Sequence, residues 1–396
     1  MNNILKVDQK QCYSCRSCEQ SCPKHAISMV ENKEGFFYPV VNDSCIDCGI
    51  CLSRCPSHME ISDSTYKQKI NIAYLKDQKK IMDSSSGGLF AAIAEYIIDN
   101  GGVTFGAVFD EKLKLSQKIA RNYDELKKQK GSKYLESSTG DSFSKTKQCL
   151  DEGLVVLYSG TPCQIAGLKH FLKKDYDNLL TIDLICHGVP SQKLFDKYIT
   201  WLENRWNEKI IYYGFRDKDM CGWSHIGKAK TKSKVHRIDG ACDPYYSSFS
   251  RCETYRESCY TCKFASLKRP ADLTIGDFYE IQKVNPTLMN DNGVSICLIN
   301  SSKGETYFSQ IASKLNLLSI KVDGVLEDKQ NLFRPYERAD KRDFVYQNID
   351  ALPNNVFFSQ FPESSIVFRF KYMLKLKILK LFPRSLKDFV KGILKK

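Results

Sequence analysis

Apolar and polar positions alternate along this chain in two rhythms. Short apolar runs of strand length, Ile70–Leu75, Val103–Phe109, Leu154–Tyr158 and Leu179–Ile185, are bounded by glycines or polar clusters. Between them, Leu89–Asn100, Gln164–Leu172 and Gln192–Asn204 carry apolar residues at helical spacing, and Gly101-Gly102 closes the first of these helices. Farther on, Ile210–Phe215, Leu273–Ile275 and Val294–Asn300 predict strands, and Glu305–Leu315 predicts a helix ahead of a strand at Leu317–Val322. Strands alternating with helices predict an α/β body with a mostly parallel sheet. The stretch 217–260, rich in charges, aromatics and glycine, follows neither rhythm and receives no assignment.

The two ends of the chain differ from this body. Up to about Ser57 the pattern is that of a small α+β module, whose halves meet at Glu34-Gly-Phe-Phe-Tyr-Pro39, a predicted hairpin. Ser57–Gln68 is polar and aperiodic, as a linker would be. At the other end, Ile366–Phe382 interleaves apolar and basic residues, Pro383 interrupts, and Leu386–Leu394 resumes the pattern. A basic amphipathic helical tail over 360–396 fits two uses equally, peripheral contact with an anionic membrane face or docking on the body or a partner subunit.

Cysteine placement turns the module into chemistry. Cys12, Cys15, Cys18 and Cys22-Pro23 form C-x2-C-x2-C-x3-C-P, and Cys45, Cys48, Cys51 and Cys55-Pro56 repeat it. This run wraps a 4Fe–4S cluster in bacterial two-cluster ferredoxins, with the fourth cysteine ligating the other cluster. The module is therefore expected to hold two clusters, one on Cys12, Cys15, Cys18 and Cys55, the other on Cys45, Cys48, Cys51 and Cys22. Two complete copies point to electron transfer.

Composition narrows the setting. Of 396 residues 17 are cysteine, and Met1–Val7 holds no apolar core of signal-peptide length. No stretch reaches about 18 uninterrupted apolar residues. Thiolates holding clusters need a reducing compartment, so the cytoplasm is expected, with the inner membrane face as an option through the tail. The net charge of +13 is concentrated between Ser364 and Lys396, which makes nucleic acid a poor partner.

In the body, Cys163 (Ser159-Gly-Thr-Pro-Cys163), Cys186 (Cys186-His-Gly-Val-Pro190) and the Cys259-x-x-Cys262 pair sit in loops suited to ligation. Loops at the carboxyl ends of parallel strands converge. Four thiolates there suit a third 4Fe–4S cluster or zinc. Cys297 reads as core, and Cys149, Cys221, Cys242 and Cys252 lack paired partners, Cys252 being the one best placed to replace a ligand.

These motifs, with Lys130-Gly-Ser-Lys-Tyr134 and Ala271-Asp-Leu-Thr-Ile-Gly-Asp-Phe278, resemble the beta subunits of coenzyme F420 hydrogenase and dehydrogenase. The resemblance covers roughly residues 70–333. It implies an N-terminal-type domain over 70–150 and a C-terminal-type domain over 151–335, behind the ferredoxin domain of 1–60. It also implies FAD, a cluster on Cys163, Cys186, Cys259 and Cys262, and electron exchange with a deazaflavin. Ser84-Ser-Ser-Gly-Gly88 precedes a helix and can cradle an anion. Ser86, Gly87, Gly88, Ser132, Lys133, Tyr134, Thr161 and Gln164 are then the candidate flavin contacts. An ordinary capping loop explains the serines and glycines as well. His187 is a weak candidate for proton relay, and Asp277 for a ribose or ring edge.

Where related sequences read Gly-Asp-Phe-Trp-Gly, this chain has Gly276-Asp-Phe-Tyr279-Glu280. Relatives also occur in bacteria where the deazaflavin is not expected, often beside genes for cell-surface polysaccharides, so coenzyme F420 is one candidate substrate among others. The leading expectation is an iron–sulfur flavoprotein oxidoreductase with a redox partner protein or low-potential donor. An electron-transfer subunit with no substrate site, or a redox sensor or assembly protein, are the alternatives.

Overall fold

The computed structural model describes residues 2–58, 65–321, 326, 330–361 and 374. In the N-terminal module, β1 (Ile27–Glu31) pairs antiparallel with β2 (Phe37–Val41), with Ile27 opposite Val41. Short helices Ser17–Gln20 and Ile50–Ser53 follow the cysteine loops, as the two-fold sequence repeat requires.

The body is built on β3 (Lys69–Leu75), β4 (Val103–Phe109), β5 (Leu115–Ala120), β6 (Val156–Gly160), β7 (Leu179–Leu184), β11 (Leu273–Asp277), β12 (Ser295–Ile299) and β13 (Leu315–Ile320). They form one sheet in the order β13-β3-β12-β11-β7-β6-β4-β5. Pairing is parallel from β4 through β6 and β7 to β11. It is antiparallel at β11–β12, β12–β3, β3–β13 and β4–β5. The expectation of a mostly parallel sheet therefore needs correction to a mixed one, with parallel pairing confined to the middle. β12 is apolar and buried along its whole length, as an interior strand covered on both faces must be. Strands from 70–150 and from 151–335 share this sheet.

Helix Leu89–Asp99 covers one face with Leu89, Ala92, Ile93 and Ile97, which pack with Ala73, Leu157, Ile182 and Leu273. Each large apolar side chain contributes about 1.5–3 kcal/mol on burial. Helix Gln192–Trp206 starts with Ser191 Oγ accepting from the Leu194 amide and ends at left-handed Asn207.

β8 (Ile210–Gly214) lies outside the main sheet. With β9 (Ile226–Thr231) and β10 (Val235–Asp239) it makes a separate antiparallel sheet in the order β10-β9-β8. Two of its strands come from the stretch that sequence rhythm left unassigned.

The ferredoxin module is packed into the body rather than tethered to it. Phe36 and Tyr38 join a core of Phe195, Tyr198, Phe215 and Tyr346. Buried Arg342 pairs with Glu34 at 2.7 Å. Of the expected linker, Tyr66 donates to Glu305 at 2.7 Å, while 59–64 lie outside the described residues. The expected amphipathic tail also lies outside them beyond Phe361, apart from Leu374. No helix among the described residues is long and apolar enough to cross a membrane.

Candidate functional site

The two cysteine runs fold into loops with matching backbones. Ser14 and Arg16 in the first, Asp47 and Gly49 in the second, all have positive φ at equivalent places. Such corners turn the chain so that thiols point to one centre. Arg16 takes the strained conformation with its side chain fixed by Glu19 at 2.8 Å.

Cys12, Cys15, Cys18 and Cys55 line one cavity, with Tyr13, Ile4, Val7 and Pro56. Cys22, Cys45, Cys48 and Cys51 line another, with Pro23, Ile27 and Ile46. The first faces the body: Cys15, Cys18 and Cys55 are buried, whereas Cys48 is exposed. Burial raises the Cys15 and Cys18 thiols well above the ordinary thiol range, and amides of Ser17 and Glu19 directed at them oppose that rise. Thiolates there need a cationic partner.

The body holds a third group. Cys163 lies one residue into helix Pro162–Leu172, directly after β6, and Cys186 follows β7. Cys259 and Cys262 come from the short helix Glu257–Tyr260 and the loop after it. Burial pushes Cys163 and Cys186 up to about 12 and Cys262 to about 11. Beyond burial, Cys259 is raised by Cys186, Cys262 and Cys163, so the four thiols are close neighbours. Cys252, in contrast, couples to Tyr255 and Glu253. Cys297 is fully buried in β12. Among the described residues, no three ligating side chains gather as tightly as a single metal ion needs.

Two arginines that no motif announces hold these sites. Arg269 donates to Asp183 at 2.9 Å, Leu184 O at 2.8 Å and Phe264 O at 2.8 Å, joining the Cys186 strand to the Cys262 loop. Arg256 donates to Cys12 O at 2.6 Å and Phe37 O at 2.8 Å and pairs with Glu136 at 3.3 Å. Thr139 Oγ1 donates to Cys15 O at 2.9 Å, and Arg54 to His170 O at 2.9 Å. Only sequence distance hid them: each acts on a loop far along the chain.

The candidate flavin contacts divide. Thr161 and Gln164 stay beside Cys163, with Thr161 Oγ1 3.1 Å from its sulfur and Gln164 Nε2 donating to Ser137 O at 2.9 Å. Ser86, Ser132 and Tyr134 gather around Arg216, which donates to the Tyr134 hydroxyl at 3.2 Å, Asp277 at 3.1 Å and Ser85 O at 3.1 Å. The Ser132 amide donates to Ser85 Oγ at 2.6 Å, and Ser86 Oγ to Val294 O at 2.8 Å. Burial favours the neutral acid at Asp277, but Arg216 and the Trp223 indole, donating at 2.7 Å, hold the carboxyl below its usual range. Tyr279, the position that departs from related sequences, stacks on Trp223 at 4.4 Å.

Gly87 and Gly88 have a packing reason: a Cβ on Gly87 would stand 2.6 Å from Ala73 O, and one on Gly88 2.6 Å from Leu75 Cδ1. Lys133 donates to Lys128 O, Gln129 O and Lys130 O at 3.1, 2.9 and 2.9 Å, closing the end of helix Tyr123–Gln129. His187 stacks on Tyr336 with centroids 5.1 Å apart.

Residues 154–323 match the family described as the C terminus of the coenzyme F420 hydrogenase/dehydrogenase beta subunit. Residues 11–60 match the 4Fe-4S dicluster domain. An uncharacterized ferredoxin of Methanocaldococcus jannaschii is 31% identical over 52 residues, 13% of this chain and 68% of that protein. A chain of the F420-reducing NiFe hydrogenase complex from Methanosarcina barkeri aligns at 15% identity and TM-score 0.44, covering 76% of this chain and 94% of its own. The chain therefore belongs to the coenzyme F420 hydrogenase/dehydrogenase beta-subunit family and carries a 4Fe-4S dicluster ferredoxin domain at its N-terminus.

Proposed function

We propose that this iron–sulfur protein is a flavin-dependent oxidoreductase with three 4Fe–4S sites. Cys12, Cys15, Cys18 and Cys55 would hold the first, Cys22, Cys45, Cys48 and Cys51 the second, and Cys163, Cys186, Cys259 and Cys262 the third. The observation that carries the reading is the convergence of the last four thiols at the carboxyl ends of β6 and β7. Zinc would draw sulfurs to about 2.3 Å from one point; the looser grouping among the described residues supports the larger cluster. Clusters supply one-electron chemistry, and a flavin exchanges one or two electrons.

The chain's own part is to bind, space and dry these sites. For the flavin, support comes from buried Arg216, whose Nε has no hydrogen-bond partner, and from the uncapped start of helix Leu89–Asp99 behind Ser86, Gly87 and Gly88. Ser132, Tyr134, Thr161 and Gln164 complete the proposed contacts. The acceptor belongs to the deazaflavins or another two-electron carrier, reached from a redox partner protein in the cytoplasm. One observation favours the alternative of an electron-transfer subunit without flavin: Lys133 is already committed to three carbonyls.

Anaerobic purification with iron, sulfide and flavin analysis separates them. Three four-iron sites give about twelve irons per chain, with one flavin. About eight irons and no flavin overturn the reading. Cys259→Ser should lose about a third of the iron, and full retention would remove Cys259 from the ligands.

A further inference from the structure

We propose that Tyr13 is the positioning residue that closes the seam between the first ferredoxin thiol site and the Cys163, Cys186, Cys259 and Cys262 site, holding both in one water-poor compartment. The inference rests on the cluster assignments proposed above. Tyr13 follows Cys12 directly and lines the first cavity. Its ring packs on Phe264 with centroids 5.4 Å apart, and Phe264 is buried two residues beyond Cys262. The Lys263 amide donates to its phenol oxygen, so one side chain ties the residue after Cys12 to the residue after Cys262. Burial first, and then the Cys262, Cys163 and Cys259 thiols, keep that phenol protonated.

The rest of the seam is equally close. A Cβ on Gly167, four residues past Cys163, would stand 2.8 Å from the Cys15 sulfur, so only glycine lets helix Pro162–Leu172 approach the first site. Arg256, three residues before Cys259, donates to Cys12 O at 2.6 Å. The outer ferredoxin site is different: Cys48 is exposed, and Cys22 and Cys45 are half-buried.

Solvent exposure is one of the levers on cluster potential, because a low-dielectric site disfavours the added negative charge. Removing the Tyr13 ring opens the seam to water on both sides at once. The test uses the whole chain with its iron, and EPR-monitored redox titration of each site. The outer signal is identified by its loss in Cys48→Ser. In Tyr13→Ala the midpoint potentials of the first and body sites rise together while the outer one stays. Tyr13→Phe, which keeps the ring, matches the unsubstituted protein at all three.

Should Tyr13→Ala not fold, Phe264→Ala opens the same seam from the body side and must give the same paired rise. The proposal is overturned if the body site does not move, if the outer site moves as much, or if Tyr13→Phe behaves as Tyr13→Ala. Iron content keeps the two failures apart. About eight irons per unsubstituted chain overturns the third-cluster assignment, whereas about twelve irons without a paired shift overturns the seam alone.

Discussion

Replacing Arg256 by methionine tests how the ferredoxin domain is fixed to the body. Arg256 is 1% exposed, so its charge is stabilised only by what surrounds it. Nε donates to Cys12 O at 2.6 Å, Nη2 to Phe37 O at 2.8 Å, and Nη1 pairs with Glu136 at 3.3 Å. Methionine keeps the stem and removes the charge and every donor. Removing one partner of a buried pair costs about 3–5 kcal/mol. The two carbonyl bonds overlap with that figure, because the three contacts act as a unit. A loss of about 4 kcal/mol near pH 8 is expected.

The same variant has a pH signature. Burial raises the Glu136 carboxyl above its ordinary 4.5, and Arg256 is the main group opposing the rise. Without Arg256 the folded pKa climbs further. A carboxyl with a folded pKa above its unfolded one loses stability as pH rises through that window. The penalty is therefore smallest near pH 5.5 and largest near pH 8. Arg256→Lys, which keeps the charge but not the three-way fork, falls in between. Urea midpoints under argon at both pH values give the numbers. A loss under about 1 kcal/mol, or one that deepens on acidification, refutes the argument.

Two further substitutions probe single sites. Burial lowers the Lys133 amine to about 7, so stability should rise from pH 7 toward the unfolded lysine range. Thermal melts at pH 7 and pH 9 should show that rise shrinking in Lys133→Met, with flavin content unchanged if the amine only closes its helix. Gly188 has φ +132, and a Cβ would stand 2.4 Å from Tyr255 Cδ2. Gly188→Ala should cost about 1–3 kcal/mol and reduce iron at the neighbouring Cys186 site, as urea midpoints and iron analysis would report.

What could be read in advance follows from how local each determinant is. The cysteine runs set their own loops, since spacing and left-handed corners lie within eleven residues, and both cavities gather the cysteines that spacing alone had grouped. Strands such as Val103–Phe109 announce themselves by short-range pattern. β9 and β10 do not: β9 carries Lys228 and Lys230 between its buried positions, and its pairing with β8 is settled by an aromatic core assembled from distant segments. Mixed pairing in the main sheet was equally hidden, because an apolar run such as that of β12 reads the same whichever way the strand points.

The site divides along the same line. Thiols were legible because their chemistry is written in residue type, whereas Arg256, Arg269 and Arg216 are ordinary arginines until folding supplies Cys12 O, Asp183 and Asp277 as their partners. Spacing therefore locates the groups that hold metal. The groups that decide how far apart the metal sites stand, and how dry they are, come from contacts more than a hundred residues away, of which Thr139 to Cys15 and Arg256 to Cys12 are the clearest. Substitutions at those remote positions should move potentials and stability while leaving every cysteine in place, and that separation is what makes the seam testable apart from the clusters themselves.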